Sequence, residues 1–149
     1  MTVRTRIYTD GSALGNPGPG GWGWWIDDAA CASGSETGTD PTFTPVRTTN
    51  NRMELAAIAH ALAANPGPVE IVTDSTYSRD ALTRWVHGWR RRGWKTAAGA
   101  PVKNRDLIEP LAGLIASRDV TITWVKGHAT SHGNHRADAL ARDAATAAR

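Results

Sequence analysis

One cysteine, one phenylalanine and two tyrosines in 149 residues put several protein classes out of reach. A single Cys31 can build neither a disulfide framework nor a cysteine-ligated zinc site. No apolar run approaches the ~20 residues of a membrane-spanning helix, and Met1-Thr2-Val3-Arg4 does not begin a signal peptide. A cytoplasmic protein without a membrane partner is expected. Acidic residues are missing from 81–105, where Arg84, Arg90, Arg91, Arg92, Lys95, Lys103 and Arg105 give +7. The whole chain carries only +3, so the remainder is acidic, at −4. Tryptophan is the residue in excess: there are seven, and Trp85, Trp89 and Trp94 fall in the basic segment. With 40% hydrophobic and 21% charged residues the composition is that of a globular chain, and this length suits one core and one domain over 1–149.

Residues 3–10 alternate and are rich in β-branched side chains, which predicts a strand ending near Asp10. Residues 11–23 hold six Gly and two Pro and read as a tight connection, a hairpin turn rather than a phosphate loop. A second strand over 22–26 then pairs antiparallel with the first. A third short strand and an irregular loop are expected within the Ser/Thr/Gly/Pro-rich stretch 31–46. From Asn51 the period changes: Met53, Leu55, Ala56, Ile58, Ala59 and Leu62 form one helical face, with Asn51 and Glu54 spaced as a capping box and a start two residues earlier as the alternative. Asn65-Pro66-Gly67-Pro68 stops that helix. Residues 69–74 form a short apolar strand, buried on both faces and parallel to the first. Short helices over 75–91, the basic loop, a helix over 104–116, a strand over 120–125 and an Ala-rich helix over 134–148 complete the chain. This order predicts an α/β domain: a mixed five-stranded sheet, three antiparallel strands then two parallel, flanked by helices.

Chemistry is expected where elements end. Asp10 and Asp74 close two strands that a parallel pairing sets side by side at the carboxyl edge. Glu54 lies in the first turn of the helix that feeds Asp74's strand, and Asp138 in the last helix. Each alone has an ordinary explanation as a turn, cap or solvated residue. Four carboxylates converging from four elements would repel and raise one another's pKa, a conflict that a divalent cation resolves. Hard oxygen ligands favour Mg²⁺ or Mn²⁺ over zinc.

Several segments carry a resemblance. Tyr8-Thr9-Asp10-Gly11-Ser12, Gly15-Asn16-Pro17-Gly18-Pro19-Gly20-Gly21, Thr48-Thr49-Asn50-Asn51-Arg52-Met53-Glu54-Leu55, Thr73-Asp74-Ser75, Gly93-Trp94-Lys95-Thr96, Pro101-Val102-Lys103-Asn104 and Trp124-Val125-Lys126-Gly127-His128-Ala129 occur in this order. The set resembles type 1 ribonuclease H, in the stand-alone bacterial form that carries a basic protrusion. The resemblance implies a ribonuclease H-like fold and an endonuclease that hydrolyses the RNA strand of RNA–DNA hybrids, leaving 5′-phosphate and 3′-hydroxyl ends. It implies two Mg²⁺ ions held by Asp10, Glu54, Asp74 and Asp138, with Mn²⁺ as a substitute and Asp10 bridging. His128 matches the family's assisting histidine. Asn16, Asn50 and Asn51 match residues that contact the RNA strand; Tyr77, Trp85 and Trp89 match the groove for the DNA strand; Arg47, Thr49 and Asn104 match a DNA-phosphate pocket. A monomer acting in DNA replication is implied as well.

The basic segment read from its residues alone, arginines beside three tryptophans, also suits phosphate contacts with aromatic platforms, the alternative being that Trp85 and Trp89, four apart on a helix, belong one or both to the core. The chain departs from the family pattern in places. His135 stands where Glu is frequent, Thr76 is smaller than the usual residue, and Ala98-Gly99-Ala100 replaces what are often lysines. A catalytically silent binding module and a DNA nuclease of related fold are the rival readings. The complete carboxylate quartet argues against the first, and the three asparagines against the second.

Overall fold

The computed structural model describes residues 3–35, 48–127 and 131–148. The alternating N-terminal run forms β1 (Thr5–Ala13), followed by β2 (Gly20–Asp27) and β3 (Ala30–Gly34). Helices and strands then succeed one another: α1 (Asn50–Ala64), β4 (Val69–Thr73), α2 (Thr76–Asp80), a π-helical turn (Ala81–Trp85), α3 (Val86–Arg91), α4 (Arg105–Ser117), β5 (Val120–Trp124) and α5 (His132–Ala147). The sheet runs β3-β2-β1-β4-β5. The first three strands pair antiparallel and β4 and β5 are parallel to β1, as the order of elements predicts. Residues 36–47, which take up most of the Ser/Thr/Gly/Pro-rich stretch, lie outside the described residues. Among the described residues no helix is long and apolar enough to cross a membrane.

Both faces of the sheet are covered, and the glycines of the first two strands set how closely. The connection between β1 and β2 is confined to residues 14–19, closed by Leu14 N–H donating to the Pro19 carbonyl at 2.8 Å. Gly11, Gly20, Gly21 and Gly23 are therefore strand residues and not parts of a loop. α1 crosses β1 at Gly11, where a Cβ would lie 2.2 Å from Glu54 N. On the opposite face α5 lies on Gly21, where a Cβ would meet the Ala141 carbonyl oxygen at 2.3 Å. α5 needs no large apolar residues for this contact: Ala137, Ala141 and Ala145 are wholly buried against the sheet. The larger core lies on the α1 side, built from Ile7, Trp24, Leu55, Ile58, Leu62, Ile71, Leu82, Ile108 and Leu111.

Of the two expected starts α1 takes the earlier one. Thr49 is the N-cap, two residues before Asn51, and its Oγ1 accepts from Arg52 N–H at 3.2 Å. Glu54 therefore falls in the second turn and is free of any capping role. At the other end the Arg118 guanidinium donates to the carbonyls of Leu62, Asn65 and Gly67, which closes α1 against the segment leading into β5. In the basic segment α2, the π-helical turn and α3 run on continuously. Trp94, expected on the surface, is buried: its backbone is left-handed (φ 65°), its N–H donates to the Trp89 carbonyl at 2.7 Å, and Arg105 lies over its ring.

Candidate active site

Register brings the first two carboxylates together. The parallel ladder of β1 and β4 ends at the pair Tyr8–Val72, so Asp10 and Asp74 each stand two residues beyond it, at the carboxyl edge. Asp74 follows the last residue of β4, as expected. Asp10 does not end its strand: antiparallel pairing with β2 carries β1 on to Ala13, with Asp10 opposite Gly23. The close crossing at Gly11 then lowers Glu54 onto Asp10. One oxygen from each of Asp10, Glu54 and Asp74 lies within 4.8 Å of the others.

The environment of this trio is hostile to charge. Asp10 and Glu54 are buried and Asp74 is half-buried. Burial is the main cause that pushes the Asp10 carboxyl up to about 7; the Asp74 charge adds to it, and hydrogen bonds to Glu54 and Gly11 oppose it. Glu54 is held well above the usual carboxylate range, first by burial and then by the charge on Asp10. Its Oε2 is buried with no hydrogen-bond partner among the described residues. An all-oxygen donor set containing an orphaned, buried carboxylate oxygen fits a hard divalent cation.

The fourth carboxylate is beside the trio and not within it. Asp138 comes near enough to Asp10 to add to its upward shift. Its Oδ2 accepts from Arg142 one turn further along α5, an ion pair that turns the carboxylate partly to solvent. His135 is exposed in the first turn of α5. His128 and Arg47 lie outside the described residues.

The remaining site residues collect along a groove of about 460 Å³ lined by Asn16, Thr49, Asn50, Asn51, Tyr77, Lys103 and Asn104. Asn16 Oδ1 accepts from Asn50 N–H at 3.0 Å, and Asn50 Oδ1 accepts from Ala13 N–H at 2.7 Å. A main-chain donor requires the amide oxygen opposite it, so both side chains turn their NH₂ groups outward. Asn104, with a left-handed backbone, donates from Nδ2 to the Tyr77 hydroxyl at 3.1 Å. From Tyr77 the aromatic line continues edge-on to Trp85, at 6.1 Å between centroids, and on to Trp89 at 5.9 Å. Trp85 is exposed; Trp89 is half-buried and packs on the core.

Known proteins share this arrangement of elements. The RNase H family model matches residues 3–146. The chain belongs to the RNase H family. A ribonuclease H of Rhodospirillum rubrum is 47% identical over 152 residues, covering 99% of this chain and 86% of that protein. One from a Polaromonas species is 50% identical over 149 residues, covering 94% and 88%. Among solved structures, LC9-RNase H1, described as a type 1 RNase H with the type 2 active-site motif, has a TM-score of 0.74 at 31% identity, covering 100% of this chain and 76% of that one.

Within this RNase H fold three residues near the site have places that the sequence does not assign them. Lys103, one of the seven basic charges and part of the Pro101-Val102-Lys103-Asn104 segment, lines the groove. Arg142 stands four residues after Asp138, a spacing that signals an ion pair on a helix and could have been read. Trp124 donates from its indole Nε1–H to the Asp74 main-chain carbonyl, a contact with no local sequence signal.

Proposed function

We propose that the chain is an endonuclease that hydrolyses the RNA strand of RNA–DNA hybrids, leaving 5′-phosphate and 3′-hydroxyl ends. Membership of the RNase H family supports the reaction class. The observation that carries the chemistry is the packing of Asp10, Glu54 and Asp74 within 4.8 Å, two of them buried. Asp10, Glu54, Asp74 and Asp138 would hold two Mg²⁺ ions, or Mn²⁺ in their place. When bound, the metals supply Lewis-acid stabilisation of the attacking water and of the leaving 3′-oxygen.

The chain's own residues bind and orient. The outward NH₂ groups of Asn16 and Asn50, with Asn51 beside them, donate to ribose 2′-hydroxyls in the shallow minor groove and so select RNA. Thr49 and Asn104, with Arg47, take a DNA phosphate. Tyr77, Trp85 and Trp89 offer faces to the DNA strand. His128, which matches the family's assisting histidine, assists proton transfer or product departure. The proposal includes a single-domain monomer that works in the cytoplasm on RNA left by DNA replication.

Incubation with RNA–DNA hybrid, duplex DNA and duplex RNA, each with Mg²⁺ and with chelator, tests the reading. Cleavage of the hybrid's RNA strand alone, and only with metal, is expected. Binding without cutting, or cutting of duplex DNA, would overturn it, and an Asp10→Asn variant that cuts at the normal rate would refute the metal assignment.

A further inference from the structure

We propose that Trp124 is a positioning residue that fixes Asp74, an inference that rests on Asp74 being a metal ligand as set out above. Asp74 stands just beyond β4, where the sheet no longer holds the chain. The carbonyl of Thr73 accepts from Val125 N–H at 2.9 Å, which continues the main-chain pairing with β5 to the end of β4. Trp124, the last residue of β5 and opposite Thr73 in the ladder, extends the restraint by one residue. Its indole Nε1–H donates to the Asp74 main-chain carbonyl at 3.1 Å. Gly127 passes beside the carboxylate itself, where an added Cβ would lie 3.6 Å from Asp74 Oδ2.

The ring is not there to fill a core. Trp124 is 38% exposed at the end of an edge strand. Arg79 of α2 lies over it, 5.1 Å from the ring centroid, and is itself held by Asp80 through Nε at 3.0 Å. A cation on its face and a hydrogen bond from its nitrogen fix the indole in place. Of these, only the N–H distinguishes tryptophan from phenylalanine, and that N–H reaches the Asp74 backbone. Outer partners that orient a metal ligand set its affinity as well as its geometry.

Trp124→Phe keeps a ring under Arg79 and removes the donor. Calorimetric titration with Mg²⁺ is expected to show binding weakened roughly three- to tenfold, the worth of one lost hydrogen bond. The kcat for hybrid at sub-saturating Mg²⁺ should fall in proportion, with KM for hybrid within about twofold of the unaltered chain. Unchanged Mg²⁺ affinity would overturn the proposal, whether accompanied by a lower Tm (a packing role) or by a raised KM for hybrid (a substrate platform). A second measurement needs no variant: the Trp124 Nε1–H resonance of the unaltered chain should shift as Mg²⁺ is added, and a resonance that stays in place overturns the link. If the unaltered chain binds no Mg²⁺, or Asp74→Asn binds and cuts like it, the functional reading has failed instead.

Discussion

A carboxyl group buried beside two others gives up its proton late, and Asp10 does so at about 7 against an ordinary 3.8. A group that titrates higher in the folded chain than in the unfolded one favours folding while it is protonated. That contribution is complete below the unfolded value and is lost as the pH rises through the folded one. Glu54 acts in the same direction. Asp28, Glu70, Asp80 and Asp106 act in the opposite one, because Arg136, Arg6, Arg79 and Arg52 hold them below their ordinary values. Comparison with Asp10→Asn isolates the buried site. In chelator, the Tm advantage of Asp10→Asn over the unaltered chain should grow between about pH 4 and about pH 7, and saturating Mg²⁺ should erase it by stabilising only the chain that can bind metal. A difference that does not change with pH would mean that the trio is not electrostatically strained. The strained residues were legible in the sequence because four acids fell in elements whose order brings them to one edge of the sheet, although Asp10 lies within its strand and Glu54 in a helix. Trp94 was not legible. Its basic neighbours suggest a surface, and its inward turn depends on a left-handed backbone that a non-glycine residue does not announce.

At the scale of elements, the order of strands and helices could be read from period and punctuation, and their ends less well. β1 continues past Asp10 because an antiparallel partner is present, which no local pattern of β1 reveals. The glycines misled for a physical reason. In sequence, Gly11, Gly20 and Gly21 look like loop residues, whereas here they let helices approach a sheet from both sides. The same substitution should therefore change sign with position. Gly11→Ala pushes a methyl into the α1 backbone at Glu54, 2.2 Å away, and an overpacked contact of this kind costs about 1–3 kcal/mol. Because α1 carries Glu54, Mg²⁺ affinity should fall with stability. Gly113 sits exposed within α4 with nothing within 4 Å of an added Cβ, and Gly113→Ala should stabilise by about 0.5–1 kcal/mol. Urea denaturation of both variants checks this: a Cm lowered for Gly11→Ala and raised for Gly113→Ala is expected. A neutral Gly11→Ala would mean that α1 slides without consequence.

Across the whole molecule the charge is divided, and the structure changes what the division amounts to. Counted along the sequence, the basic segment carries +7 against an acidic body. In the fold, part of that charge is already committed. Arg84 pairs with Asp80 at 3.5 Å, Arg105 pairs with Glu109 at 2.8 Å while lying over Trp94, and Arg92 Nε donates to the Lys95 carbonyl. Arg90 and Arg91, exposed at the end of α3 and next to Trp89, have no ion-pair partner among the described residues. If the segment grips a nucleic-acid backbone, these two carry more of the grip than their share of the total. Each phosphate contact releases counterions, so the slope of log affinity against log salt counts contacts, at roughly 0.9 per cation on a duplex. Hybrid binding measured by anisotropy in an Asp10→Asn background, which leaves the RNA intact, reads that slope directly. Replacing Arg90 and Arg91 together by Ala should lower its magnitude by roughly two, whereas Arg105→Ala should leave it nearly unchanged. Equal losses from both changes would show that the segment acts as a diffuse field, and no loss from either would move the DNA handle to another face of the molecule.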